Sequence, residues 1–523
     1  MTGLKQAGRT KNALRNSVWG LIYNVMNLFM PFAIRTIILY VFNEEYLGLN
    51  SLFSSIIAVL SLAELGFGSA VVYSMYKPIA ENDTPRICAL LRLYKRIYLI
   101  IGIIVLASGL AVTPFLPFLI HGTYPHEINI YLIFIIFLVN SSISYFFFSY
   151  RESVLQATQR NDIVNKTLLI VRFLMYVSQI AIIFLLKNYY LYLIALPIAT
   201  FIGNAINYLI AKKTFPDYFP DGTLESNDIR NIKKQVGGLM ISKIAAISRN
   251  SMDNIAISVF VGLTAVAIYS NYFYIMNAVH GFLSVLMISI RAGIGNSIAK
   301  ESKEKNYRDF KKFTFLYSWI SGICACCFLC CYQHFMLIWV DKSELVFPFQ
   351  TMVLFVIYFY LLTMMDVRNV YIDATGVWWQ NKTRPIVEAL SNIALNFLFA
   401  YFWGVDGILW ATIITVVFVN LAFGSRVLFK EYFTMFKCKE YLLPQIFYFL
   451  VTFISCILVN KICEFLPSYG FLWMLLKLVI CLTFPNLIFL LSYLITPEYA
   501  YIREVSNTLT NILFRKRKQK NLS

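Results

Sequence analysis

Asn24-Val25-Met26-Asn27-Leu28-Phe29-Met30-Pro31-Phe32-Ala33-Ile34-Arg35-Thr36-Ile37-Ile38-Leu39-Tyr40 lies inside an apolar run, residues 18–42, with a single cation. A hydrocarbon core ~30 Å thick is crossed by ~20 apolar residues in a helix, so this run reads as a membrane span. A charge at that depth costs ~2.5–3.5 kcal/mol on insertion scales and turns to the protein interior. Arg172, Lys243, Arg249, Arg291, Arg368 and Lys477 also fall within apolar segments. So many intramembrane cations predict a water-filled interior that holds something negative.

Composition agrees. Hydrophobic residues make up 59% of the 523 and charged ones 14%, against roughly 25% charged in a soluble domain. The apolar segments are 18–42, 49–76, 97–120, 128–150, 167–186, 189–210, 236–261, 264–295, 313–339, 347–371, 385–403, 405–425, 443–461 and 470–495. The expected class is all-α integral membrane, with about fourteen transmembrane helices. The connections between alternate segments hold about 35 of the 45 Lys and Arg, and the opposite set only Lys187, Lys342 and Lys461. That asymmetry predicts both termini in the cytoplasm and an even number of spans. The net charge of +18 is thus mainly a topology signal. Basic residues scattered over short inner loops do not make a nucleic-acid footprint. The tail Arg515-Lys516-Arg517-Lys518 suits anionic membrane lipid.

Other classes are disfavoured. The apolar run after the basic stretch Lys5–Arg15 is too long for a signal peptide core, so it reads as the first span and not as a cleaved leader. No G-x-x-x-x-G-K-[ST] run is present, so this chain is not expected to hydrolyse ATP. A membrane enzyme acting on lipid-linked sugars calls for an ordered, acid-bearing outer loop. The outward stretches Asn43-Glu44-Glu45-Tyr46 and His121-Gly122-Thr123-Tyr124-Pro125-His126 offer little scaffold for one. Of ten cysteines only Cys463 falls in an outward loop, which leaves no disulfide framework. Cys324, Cys326, Cys327, Cys330 and Cys331 share one apolar segment without a His or carboxylate beside them and read as small hydrophobes. No cofactor and no metal is expected, and the chain reads as a transporter rather than an enzyme.

A weak internal repeat supports that reading. At an offset of ~219, Gly48-Leu49-Asn50-Ser51-Leu52-Phe53 falls on Ala267-Ile268-Tyr269-Ser270-Asn271-Tyr272. It predicts two six-helix lobes around a central cavity, 1–210 and 211–440, with 441–523 holding a helix pair and the basic tail. The first, second, seventh and eighth segments should face the cavity. Polar residues there recur at helical spacing: Asn24, Asn27 and Arg35; Ser242, Arg249 and Asp253; Ser270, Asn277, Ser284 and Arg291; and Glu64 alone in mid-segment. Guanidinium groups held away from lipid suit phosphate or diphosphate, so Arg35, Arg249, Lys243 and Arg291 are the expected anion contacts. Arg249 and Asp253, four residues apart, could also simply pair. Few acids lie at membrane depth, so the interior is expected to be net positive. Glu64, Asp253 and Asp366 are the candidates for ion coupling; Asp366 and Asp373, near Arg368, could equally be an ion-paired helix end. Arg172 and Lys477 read as snorkelling cations.

Several stretches resemble the bacterial polysaccharide repeat-unit (O-antigen) flippase family of the multidrug/oligosaccharidyl-lipid/polysaccharide (MOP) exporter superfamily. They are Gly48–Phe53, Leu62-Ala63-Glu64-Leu65-Gly66-Phe67-Gly68-Ser69-Ala70, Tyr76-Lys77-Pro78-Ile79-Ala80-Glu81-Asn82, Gln159-Arg160-Asn161-Asp162-Ile163-Val164-Asn165-Lys166 and Ala374-Thr375-Gly376-Val377-Trp378-Trp379-Gln380. The resemblance implies alternating access and an undecaprenyl-diphosphate-linked oligosaccharide moved across the bacterial inner membrane, for surface polysaccharide biosynthesis. It implies that the last helix pair makes a groove for the polyprenyl tail. It leaves room for a proton or sodium ion as coupling partner and for a polysaccharide polymerase as protein partner. An ion-coupled multidrug or cation antiporter of the same superfamily is the alternative.

Overall fold

The computed structural model describes residues 9–64, 67–147, 149–494, 496–497 and 499–504, apart from the side chains at 9–14, 63, 227, 231, 233–235, 238–239, 242–243, 245–246, 248 and 292. Lys243, Ser242 and the tail cations 515–518 therefore lie outside the described side chains. Among the described residues there is no strand. The α-helices in chain order are α1 Arg9–Val41, α2 Glu44–Leu60, α3 Phe67–Glu81, α4 Thr84–Val112, α5 Ile130–Phe146, α6 Glu152–Ala157, α7 Asn161–Leu186, α8 Tyr189–Thr214 and α9 Ser226–Phe260. They continue with α10 Leu263–Lys300, α11 Lys303–Val340, α12 Phe349–Met364, α13 Asp366–Thr375, α14 Thr383–Thr415, α15 Gly424–Glu431, α16 Lys439–Glu464 and α17 Phe471–Tyr493. Starts are set by polar caps: Asn43, Asp83, Asn129 and Asn188 each accept from a first-turn backbone N–H.

Among the described residues ten helices are long and apolar enough to cross a membrane, eleven if the bent pair Ile130–Phe146 with Ser149–Ala157 is one span. Three places account for the difference from the fourteen apolar segments. The second segment is divided: α2 has 17 residues and α3 has 15, with a 3-10 turn Ser61–Glu64 between them. Gly68 beside it has no side chain to favour a helix, and a broken span is tolerated where its backbone faces a polar cavity. The long α9 carries too many charges, Arg249 and Asp253 among them, to pass as apolar. The eleventh and twelfth segments run through as Thr383–Glu431, but Gly404 takes φ 55°, ψ −130°. A Cβ on Gly407 would overlap the carbonyl of Phe399, whereas eight residues of straight helix would separate the two by about 12 Å. The chain doubles back at Gly404.

By internal packing the chain forms two compact units, residues 1–271 with 385–408 and residues 272–384 with 409–523. In the first, α1 lies along α7, α7 along α8, α5 against α8 and α4, and α2 against α9. Its core includes Val71 and Met75 of α3, Leu91 and Val105 of α4, and Leu138 of α5. In the second, α11 is the hub and touches α12, α16 and α17. Outer faces are greasy: Phe173, Leu174, Phe184 and Leu185 on α7, and Phe282, Val285 and Ile288 on α10, are exposed. So much exposed apolar surface is stable only in lipid. The protein is a multi-pass membrane protein.

Candidate functional site

In the first unit, α2 and α10 cross where the two copies of the repeat begin. Gly48 makes the approach possible, because a Cβ there would overlap the Leu263 carbonyl. Ser51 then donates to Ser270 across 2.9 Å. These two serines are the residues that the repeat offset superimposes. Arg35 of α1 reaches the same point: Nε donates to Asn271 Oδ1 at 3.0 Å, and a terminal nitrogen donates to Ser270 Oγ at 2.6 Å. The guanidinium is half-buried, and both of these acceptors are neutral.

Arg249 has a different setting. It donates to Glu388 Oε1 at 2.7 Å, and the two side chains are 11% and 1% exposed. Asp253, one turn along α9 and fully buried, accepts from Tyr269 at 2.6 Å and from Asn396 at 2.7 Å. Asp253 of α9 is thus met from α10 and α14, and Glu388 of α14 is met from α9. Glu388 and Asn396 carried no helical stripe that singled them out.

The broken spans of the first unit open onto a cavity of about 830 Å³. Glu64 sits on its wall, with Oε1 accepting from Tyr98 at 2.8 Å and Oε2 from Tyr145 at 2.6 Å. Tyr94 donates in turn to Tyr98 at 2.6 Å. Glu152, Asn140, Asn204 and Gln156 add to the polar wall, and among the described residues Arg172 is its one cation. Two glutamates against one arginine make this cavity within the first unit acidic. Glu152 escaped sequence reading because the fourth apolar segment ends at 150; the bend of 50° after α5 brings it round. Arg172 holds Asn27 at 3.2 Å and lies over the Tyr23 ring.

In the second unit, Asp366 Oδ2 accepts from Tyr317 at 2.8 Å and lies 3.0 Å from His280 Nε2. Arg291 meets Asp373 at 3.1 Å with both side chains about half exposed. The π-helical stretch Val416–Phe423 aims the backbone carbonyls of Asn420 and Leu421, and the Asn420 amide, at Arg368, which is fully buried. A π-turn frees carbonyls that an α-helix would consume. No periodicity argument finds it. The structure thus gathers Arg35, Arg249, Asp253 and Glu64 in the first unit, each with its own partners, and Arg291 and Asp366 in the second.

The sequence profile of the polysaccharide biosynthesis protein family matches residues 13–290. No curated protein sequence matches the chain. Among solved structures, a lipid II flippase, MurJ, in an inward closed conformation is similar over 91% of this chain and 98% of its own, at 13% identity and TM-score 0.62. An inward-facing multidrug resistance MATE family transporter of the MOP superfamily covers 78% of this chain and 94% of its own, at 12% identity and TM-score 0.60. At these identities the likeness is one of fold.

Proposed function

We propose, from the premise that the chain belongs to the polysaccharide biosynthesis protein family, that it flips a polyprenyl-diphosphate-linked oligosaccharide across the bacterial inner membrane. The lipid is undecaprenyl diphosphate, the glycan is a surface-polysaccharide repeat unit, and both termini lie in the cytoplasm. The observation that carries the reading is Arg35, a guanidinium inside a membrane helix, seated on the contact between repeat copies. A planar guanidinium can grip a diphosphate bidentately, and at this contact Arg35 holds two neutral groups, Ser270 and Asn271. Lys243 and Arg291 are secondary candidates for the same anion. Alternating access of two six-helix lobes then carries the headgroup while the tail stays in lipid, along a groove on α16 and α17. Glu64, Asp253 and Asp366 are the proposed coupling carboxylates, and Glu64 holds two tyrosine hydroxyls. A MurJ-like fold supports the reading.

The test is surface glycan display in cells that lack the chromosomal copy. Arg35→Ala should abolish display while membrane levels of protein stay normal, and Arg35→Lys should keep a residue of activity. Full display by Arg35→Ala would overturn the reading. The acidic cavity around Glu64 and Glu152 favours a second reading, a cation antiporter. That reading calls for cationic-dye efflux that Arg35→Ala leaves intact and Glu64→Gln removes.

A further inference from the structure

Five cysteines on α11 point in several directions, and alone they make no site. Packing changes this. Cys330 of α11, Cys463 of α16 and Cys481 of α17 bring their sulfurs within 4.8 Å of one another, and all three are buried. Cys463 thus belongs to the end of a helix inside the second unit, not to an outward loop. Cys327 and Cys331 also lie beside Cys481 and offer a fourth sulfur. Zinc–sulfur bonds of ≈ 2.3 Å in a tetrahedral site place sulfurs about 3.8 Å apart. The observed spacing needs only small side-chain adjustments to reach that geometry.

A second observation points the same way. Lys477 is one turn before Cys481 on α17 and is only 6% exposed. It is not a snorkelling cation. Among the described residues no carboxylate pairs with it, and its charged or titratable neighbours are Cys331, Cys463 and His334. An ammonium in a dry membrane bundle is costly unless an anion accompanies it. Neutral thiols supply none. Three thiolates with a divalent cation carry one net negative charge, and Lys477 brings the group to neutrality. The soft, all-sulfur donor set selects a thiophilic d10 ion over magnesium or calcium.

We propose that Cys330, Cys463 and Cys481 form a thiolate site for a thiophilic d10 metal ion, zinc by charge balance, which fastens α11 to α16 and α17. The site is independent of the transport reading.

The experiment uses the full chain in detergent, purified with a tag free of histidine and kept reduced. After exposure to zinc and gel filtration, elemental analysis should find about one zinc per chain in the wild type. It should find about one in Cys324→Ala, whose thiol lies outside the cluster, and background in the triple variant Cys330→Ser/Cys463→Ser/Cys481→Ser. Wild-type zinc no higher than in the triple variant overturns the site. Wild-type protein alone gives a second reading that no misfolded variant can cloud. Zinc should shield peptides bearing Cys330, Cys463 and Cys481 from N-ethylmaleimide, and a chelator should restore their labelling. Equal labelling with and without zinc, or shielding reversed by reductant instead of chelator, would overturn the proposal.

Discussion

Arg35 and Arg249 look alike in the sequence: each is a lone guanidinium in a membrane-depth helix, on a polar stripe. Their surroundings divide them. Arg249 faces Glu388, 1% exposed, at 2.7 Å, so two charges cancel inside the bundle. Arg35 donates to a serine and an asparagine, at the point where the repeat's two copies touch. A cation buried against an acid is set to hold helices together. The Arg35 contacts to Ser270 and Asn271 are hydrogen bonds to neutral groups, whereas the Arg249 contact to Glu388 is an ion pair. The depth of a charge therefore says less about its role than the charge of its partner does.

Separating the Arg249 pair should have the largest effect. Removing one member of a buried ion pair strands the other and costs about 3–5 kcal/mol. Arg249→Ala and Glu388→Ala should each lower the thermal midpoint of the detergent-purified protein and its level in the membrane. The double variant Arg249→Met/Glu388→Leu replaces both charges by apolar groups of similar size, so stability should return to near the wild-type value or above it. If the double variant is stable and still displays glycan, Arg249 is a fastener. A stable double variant without display would instead place Arg249 with Arg35 at the substrate.

Arg35→Ala should come next, and its effect should fall on transport more than on the fold. The stranded acceptors are neutral and buried, so the stability loss should be about 1–3 kcal/mol. Thermal melting beside the display assay separates the two effects. Destabilisation as large as that of Arg249→Ala would erase the distinction drawn between them.

How much of this was legible beforehand follows from the kind of signal each feature leaves. Membrane class, most helix positions and the depth of Arg35 come from local composition, and hydropathy records these directly. The repeat was readable at Ser51 and Ser270 because an offset is a property of one chain. Glu388, Asn396, Glu152 and His280 were missed because each acts through a residue on another helix, and no stripe reports that. The cysteines are the sharpest case: α11 alone suggests packing, and only α16 and α17 make the cluster. The helix break at Glu64 was hidden for a related reason: the apolar run 49–76 continues through it, and the polar cavity that tolerates the break lies elsewhere in the fold. The reversal at Gly404, by contrast, falls at the boundary already read between two apolar segments.

The smallest expected effect concerns the contact on which Arg35 rests. Ser51 and Ser270 share a neutral hydrogen bond inside a membrane bundle, and such bonds average ≈ 0.6 kcal/mol in double-mutant cycles. Ser51→Ala, Ser270→Ala and the double variant, melted under one set of conditions, should give a coupling of about that size. Ser270 also accepts from Arg35, so its single substitution should cost more than that of Ser51, and the excess should vanish in an Arg35→Ala background. That asymmetry follows from the geometry alone, because Ser51 has the contact with Ser270 while Ser270 has both. Equal costs for the two serines in every background would mean that Arg35 does not rest on Ser270. The contrast with Arg249 would then lose one of the two neutral contacts on which it rests.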